Sequence, residues 1–372
     1  MTPELPAYLL IGLVALVTTF SATPLVRLFA LRVGLIDRPS DRKVHAHATP
    51  TLGGLGIFAG FVVAGIAAAF MTEFRAVFTQ SSELLGIGAG AVLIFALGVV
   101  DDLRPLPAPV KLAGQVFASG VVFLAGVKME FILLPNGDAV SLSEDVSVLV
   151  TVFWLVAMIN AVNLVDGLDG LAAGICAIAA SSFFVYAFAL ASREGLGTTP
   201  SAPLVAIMVV GVTLGFLRFN FHPASIFMGD SGSMLLGLIL GAATVVGIGQ
   251  TQLPESASEV FLAYVPLLVP ALVVALPLID GVLAVIRRAR RGVSIFNADK
   301  QHIHHRLMDL GHGHRQAVIV MYMWSALAAG AALAFTFLKS SSLVFALPIA
   351  VAAIVLYTLF PVLTKAFQDR SN

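Results

Sequence analysis

Asp101 and Asp102 stand side by side where an apolar run ends, in GVVDDLRPLPAPVK. A polar cap at a membrane boundary would account for them. Yet a helix C-terminus carries partial negative charge, so two neighbouring carboxylates there repel both it and each other. Something cationic must compensate, either a Lys or Arg side chain or a metal ion. Lys111 follows a turn containing Pro105, Pro107 and Pro109. Such a pair suits Mg²⁺, which is typically held by one or two carboxylates plus phosphate oxygens.

Three other stretches carry chemistry. In NAVNLVDGLDGLAAG, Asn163, Asp166 and Asp169 recur every three residues, which on a helical turn sends all three to one side. Gly167 and Gly170 leave room for close backbone contact with a ligand. A glycine-rich helix break with Asx-turns competes with metal or phosphate binding there, and three oxygen-bearing side chains favour binding. In RFNFHPASIFMGDSGS, Asp230 lies at the expected start of a helix, where it could cap the helix or face a phosphate site. Asn220, Phe221 and Phe227 offer an amide and ring faces to a flat base, although such rings alone are more often interfacial anchors. The fourth stretch, IRRARRGVSIFNADKQHIHHRLMDLGHGHR, opens with four arginines suited to membrane orientation and anionic lipid. Its run of His302, His304, His305 and Arg306 has a zinc reading, but Cys176, the one cysteine, lies in an apolar segment and the spacing is not a zinc pattern. Imidazoles and a guanidinium facing a diphosphate and a sugar fit better.

The elements that must position these residues follow from composition. Of 372 residues 59% are apolar and 11% charged, with a mean hydropathy of +0.98. A soluble domain runs at about 45–50% apolar and about 25% charged. A soluble enzyme and a disordered chain are therefore excluded. A lone cysteine excludes an internal disulfide, and a formal net charge of +0 excludes a bulk basic footprint for nucleic acid. The expected fold is an all-α polytopic integral membrane protein, a single transmembrane domain over residues 1–372. About 20 apolar residues are needed per crossing, and eleven segments qualify: 8–28, 52–71, 84–100, 111–126, 146–162, 171–191, 203–217, 233–249, 260–286, 316–337 and 343–364. Pro266, Pro270 and Pro277 predict a kink in the ninth. The first segment does not read as a cleaved signal peptide, since its basic residues, Arg27 and Arg32, follow the apolar run.

Charge predicts the orientation. With the N-terminus outside and the C-terminus in the cytoplasm, 17 of the 21 Lys and Arg fall on the inner side, as the positive-inside rule requires. All eight His fall there too, while all eight Glu fall outside. An inner face rich in Asp, His and Arg but without Glu reads as a site. Ionisable residues are missing from the span centres, with Lys111 and Asp280 near span ends. Transporters place charges at mid-membrane, so the chemistry is expected on the cytoplasmic loops, and a carrier for a nucleotide or lipid-linked anion is the weaker reading.

At these residues the chain resembles the polyprenyl-phosphate N-acetylhexosamine-1-phosphate transferases, the group of MraY, WecA and TagO. The resemblance rests on DRPSDRKVHAHATPTLGGLGI, the DD pair, NLVDGLDGL, FNFHPASIFMGDSGS and ADKQHIHHRL, in the family's order. HIHHR is similar to the WecA/TagO branch, not to the three adjacent His of MraY-type enzymes. The resemblance implies transfer of N-acetylglucosamine 1-phosphate from UDP-GlcNAc to undecaprenyl or another polyprenyl phosphate, with Mg²⁺ (or Mn²⁺). This would be the first membrane step of a cell-envelope glycan such as lipopolysaccharide or teichoic acid. Other donors of the same class are UDP-GalNAc and UDP-MurNAc-pentapeptide. It implies catalytic roles for Asp101, Asp102 and Lys111, metal binding by Asp230 with Asn163 nearby, and a nucleotide site lined by Asp166 and Asp169. Asn220 and Phe227 would contact uracil. His302, His304, His305 and Arg306 would read the diphosphate and sugar, with Lys43 and His45 contributing from the first inner loop. A bacterial inner membrane and a homodimer are implied as well. Where several relatives carry a further acid this chain has Pro105, so a DDxxD metal motif is absent and the metal falls to Asp230.

Overall fold

A computed structural model describes residues 3–37, 48–133, 139–191, 200–248, 307, 310–337 and 347–360. Lipid offers backbone groups no hydrogen-bond partners, so apolar runs must satisfy their own as helices. The helices are α1 (Leu5–Val33), α2 (Gly54–Phe70), α3 (Arg75–Gln80), α4 (Glu83–Leu103) and α5 (Ala108–Leu124). After them come α6 (Glu144–Val165), α7 (Leu171–Ala191), α8 (Ser201–Asn220), α9 (Gly229–Ile248), α10 (His314–Phe337) and α11 (Leu347–Phe360). Among the described residues seven helices are long and apolar enough to cross a membrane, or eight if α2 and the segment Thr72–Gln80, bent from it by 88°, count as one crossing. The chain is therefore a multi-pass membrane protein, and its described residues are mostly helical. Helices lie over ten of the eleven apolar segments; the ninth, 260–286, is outside the described residues.

The bundle is built around α9. Of its apolar window 89% is buried, against 33% for α1. α4 and α6 pack along it, α8 closes a further side, and α5 bridges α4 and α6. On the other flank α1 lies on α8 and α2, and α10 lies on α7. Small residues allow this close approach. A Cβ at Gly98 of α4 would meet the Ser231 backbone at 2.4 Å, and one at Gly237 of α9 would meet Ile159 of α6 at 2.6 Å.

Two short antiparallel hairpins mark the two ends of the bundle. At one end β1 (Ile36–Asp37) pairs with β2 (Thr49–Pro50), bringing together the two ends of the first loop. At the other, β3 (Phe131–Leu133) pairs with β4 (Ala139–Ser141) between α5 and α6. The C-terminal ends of α1, α4, α6 and α8 share the first end with the N-terminal ends of α2, α5, α7, α9 and α10. Nearly every polar side chain of interest is there.

Candidate active site

The last turn of α4 lies beside the first turn of α9. Asp102 accepts hydrogen bonds from the Asp230 N–H (2.7 Å), the Ser231 N–H (3.1 Å) and the Ser231 hydroxyl (2.6 Å). A carboxylate on unpaired N–H groups at a helix N-terminus is favourable in both charge and hydrogen bonding. Asp102 is thus a cap supplied by another helix, and its charge is compensated by a helix dipole. Gly229 makes the approach possible: its φ is 73°, and a Cβ there would lie 2.6 Å from an Asp102 oxygen.

Asp101 finds a different partner. Its Oδ1 accepts from the Leu106 N–H at 2.6 Å, and its Oδ2 forms a salt bridge with the Lys111 ammonium. That ammonium also donates to Asp230 Oδ2 at 2.6 Å. The other oxygen of Asp230, Oδ1, accepts from Asn163 Nδ2 at 2.9 Å, and the same amide reaches the Ser233 hydroxyl at 2.9 Å. The cation demanded by the adjacent carboxylates is therefore Lys111 for one and the α9 N-terminus for the other. Four elements contribute: the end of α4, the first turn of α5, the last turn of α6 and the first turn of α9.

The every-third-residue spacing of Asn163, Asp166 and Asp169 does not place them on one helical face. α6 ends at Val165, and the chain turns through Asp166 to Gly170, where φ is 80°. The three side chains take separate positions. Asn163 stays on the helix facing Asp230. Asp166 is half-buried, and its carboxyl is pushed up to about 8, first by burial and then by the negative charge of Asp230, Asp102 and Asp169. Asp169 accepts from the Ala224 N–H at 3.0 Å and shares a 2.7 Å hydrogen bond with His222 Nδ1.

The loop between α8 and α9 is held from several directions. Asn220, 2% exposed, accepts from the Gly170 N–H at 3.1 Å and donates to the Ile226 carbonyl at 3.0 Å. Its side chain is a bracket between two loops. Arg27 of α1 donates to the Ser225 carbonyl at 3.0 Å, and Arg315 of α10 donates to the His222 carbonyl at 2.8 Å. Phe227 is half-buried; its N–H donates to the Pro50 carbonyl at 2.8 Å, and its own carbonyl accepts from the Gly53 N–H at 2.9 Å. The base of the first loop is thereby fixed beside the start of α9. Lys43 and His45 on that loop, and His302, His304, His305 and Arg306, lie outside the described residues.

Two donor sets could hold a metal ion. Asp230, Asp166 and the Asn163 side-chain carbonyl are hard oxygen donors, and the Asp166 carboxyl, raised first by burial, is raised further by the negative charge of Asp230, Asp102 and Asp169, the part that a divalent cation would offset. That set fits Mg²⁺. The second is Asp169, His222 and His314, whose ligand atoms lie within 4.8 Å of one another. The His222 and His314 rings stack at 4.1 Å with 16° between their planes, and His314 Nε2 is buried with no hydrogen-bond partner among the described residues. Imidazole donors suit transition metals better than Mg²⁺. Sequence reasoning singled out neither His222 nor His314, although both lie in motifs it quoted. The signal available in the sequence was that every His falls on loops expected on the same side.

Comparison with known proteins adds to this geometry. The profile of glycosyl transferase family 4 matches residues 84–248, the segment that runs from α4 to the end of α9. The chain is 37% identical over 360 residues to the decaprenyl-phosphate N-acetylglucosaminephosphotransferase of Mycolicibacterium smegmatis, covering 96% of this chain and 89% of that protein. It is 36% identical over 311 residues to a probable undecaprenyl-phosphate N-acetylglucosaminyl 1-phosphate transferase of Bacillus subtilis, covering 84% and 80%. It is 30% identical over 309 residues to the undecaprenyl-phosphate alpha-N-acetylglucosaminyl 1-phosphate transferase of Salmonella typhi, covering 82% and 78%.

Proposed function

This chain belongs to glycosyl transferase family 4, among the polyprenyl-phosphate N-acetylglucosamine-1-phosphate transferases, and from that premise we infer that it takes its sugar phosphate from UDP-GlcNAc. Transfer to a polyprenyl phosphate then gives polyprenyl-diphosphate-GlcNAc and UMP. The observation that carries the reading is the arrangement of Asp230, with one oxygen on Lys111, the other on Asn163, and Asp101 on the same ammonium. It gathers a cation, hard oxygen donors and a helix N-terminus where a diphosphate can be charge-matched.

Phosphoryl transfer asks a protein mainly for positioning and charge stabilisation. In this reading an oxygen of the lipid phosphate attacks the β-phosphorus of UDP-GlcNAc, and the bond to the bridging oxygen breaks to release UMP. Lys111 lies where it can hold phosphate oxygens, and Asp101 positions the lipid phosphate and accepts a proton from its monoanion. A phosphate monoester is largely dianionic at pH 7, its second pKa being about 6, so no strong base is needed. Asp230, Asn163 and Asp166 would hold Mg²⁺, which supplies charge neutralisation on the diphosphate and on the departing UMP. Asp169 and Phe227 would frame the nucleotide side, with Asn220 holding their loops in place and not itself touching the base. Asp102 acts through Asp230 by fixing the start of α9. A covalent aspartyl intermediate is disfavoured because the oxygens of Asp102 are engaged by α9, and those of Asp101 by Leu106 and Lys111. The proposal includes eleven spans in one domain, an outside N-terminus, a cytoplasmic site in a bacterial inner membrane, and a homodimer.

The test is an extraction assay on purified protein with Mg²⁺, labelled UDP-GlcNAc and undecaprenyl phosphate. Label should enter the organic phase while UMP appears in the aqueous phase, and EDTA should stop both. Silence with every UDP-amino sugar would overturn the reading, and nucleotide flux in proteoliposomes without UMP production would revive a carrier.

A further inference from the structure

Between α5, α6 and α9 the side chains form two layers, each with one residue from each helix. The first is Lys111, Asn163 and Asp230. One turn deeper, four residues on along α5 and α9 and three back along α6, the same helices supply Gln115, Asn160 and Met234. Asn160 Nδ2 donates to Gln115 Oε1 at 2.7 Å and to the Val156 carbonyl at 2.8 Å, while Gln115 Nε2 approaches the Met234 sulfur at 3.5 Å. Gln115 is only 3% exposed, while Asn160 lies at the outer edge of the pair and is exposed. The transfer mechanism gives this pair no part, and a membrane-spanning segment is a costly place for two amides.

In lipid an amide has no water to fall back on, so two facing amides prefer each other and fix the distance between their helices. Met234 would not set that distance, because a thioether on a flexible chain adapts to whatever gap it is given. Lys111 lies one turn from Gln115 on the same face of α5, and Asn163 one turn from Asn160 on the same face of α6. We propose that Gln115 and Asn160 are positioning residues, their amide pair setting the α5–α6 separation at which Lys111 and Asn163 each reach one oxygen of Asp230. The kinetic part of the inference rests on the transferase reading; the structural part does not.

Gln115→Asn shortens the bridge by one methylene, and the swap Gln115→Asn with Asn160→Gln restores its combined length. Displacing a catalytic group by about 1 Å can cost about a hundredfold, so Gln115→Asn should lower kcat by about ten- to a hundredfold with donor KM within about twofold of wild type. The swap should recover most of that loss. A wild-type kcat in the single variant, or a swap no faster than it, would overturn the proposal. A second measurement is independent of turnover. Spin labels at the exposed positions Val116 and Phe153 should report a shifted or broadened α5–α6 distance in Gln115→Asn, and recovery in the swap. An unchanged distance in the single variant would also overturn it. If the wild-type protein transfers nothing, the functional reading fails and the label distances still decide this inference.

Discussion

Lys111 and Lys128 lie at opposite ends of α5, and each meets a carboxylate from another helix. Lys128 contacts Glu144 at 3.2 Å, its ammonium 4.9 Å from the Phe123 ring centroid, with the Glu144 side chain 79% exposed. Lys111 lies between Asp101, which is 6% exposed, and Asp230, whose other oxygen is held by Asn163. The first pair exchanges water for a flexible partner and gains little. In the second, each charge has several fixed partners in a setting where water screens poorly. Like residues therefore have unlike consequences. The end that concentrates the described Asp, Lys and His has its charges pinned to helix termini, as a site for a charged ligand requires, while the pair at the far end is largely open to its surroundings.

Asp230→Asn should break the comparison most severely. It removes the charge between Lys111 and Asn163 while keeping the shape, and a loss of kcat of about 10³-fold or more is expected from such preorganised groups. The variant should still insert in membranes and elute as wild type. Near-normal turnover would remove Asp230 from the site.

Asp102→Ala should come next. It strips a cap from two N–H groups and a hydroxyl, and leaving such buried groups unsatisfied costs about 1–3 kcal/mol. A lower Tm is expected together with slower turnover, because the start of α9 carries Asp230. Wild-type values of both would show that Asp102 does not hold α9.

A pH series sharpens the same contrast. The Asp166 carboxyl is pushed up to about 8, against about 3.9 in an unfolded chain. The folded state thus binds the extra proton, so its contribution to stability is full below pH 4 and is lost as pH rises through 8. In EDTA the Tm should fall between pH 6 and 8.5, and Mg²⁺, which favours the ionised carboxylate, should reduce that fall and bind more tightly at the higher pH. A metal-free Tm that rises across this window would contradict the arrangement around Asp166.

The smallest effect belongs to the far end. Lys128→Ala or Glu144→Ala should change stability by less than about 1 kcal/mol, as exposed pairs do, with turnover unchanged. A large loss of activity from either would erase the distinction between the two ends.

Much of the fold was legible because a bilayer imposes it. Apolar runs at Leu5–Val33 or Ser201–Asn220 must be helices in lipid, and their ends fall where polar residues begin. The motif residues Asp101, Asp102, Lys111, Asn163 and Asp230 could be singled out by type and placement, and four of the five meet through Lys111 and Asp230. Helical phase misled beyond Val165, because periodicity carries no information about where a helix stops. The motif around Asn220 indicated a polar amide but not that both of its ends would bind backbone. His222 and His314 are far apart along the chain; the α8–α9 loop brings His222 to Asp169, and the packing of α10 on α7 adds His314.

The sequence by itself determined that this chain lives in a membrane and that its polar motifs fall between apolar runs, since both follow from composition and local order. Which carboxylate meets Lys111, which one caps α9, and which amides sit one layer deeper were decided only by tertiary structure. Those pairings depend on how α4, α5 and α6 converge on the first turn of α9, and contacts such as Gln115–Asn160, Lys111–Asp230 and Asp102–Asp230, which are 45, 119 and 128 positions apart, leave no trace in local spacing.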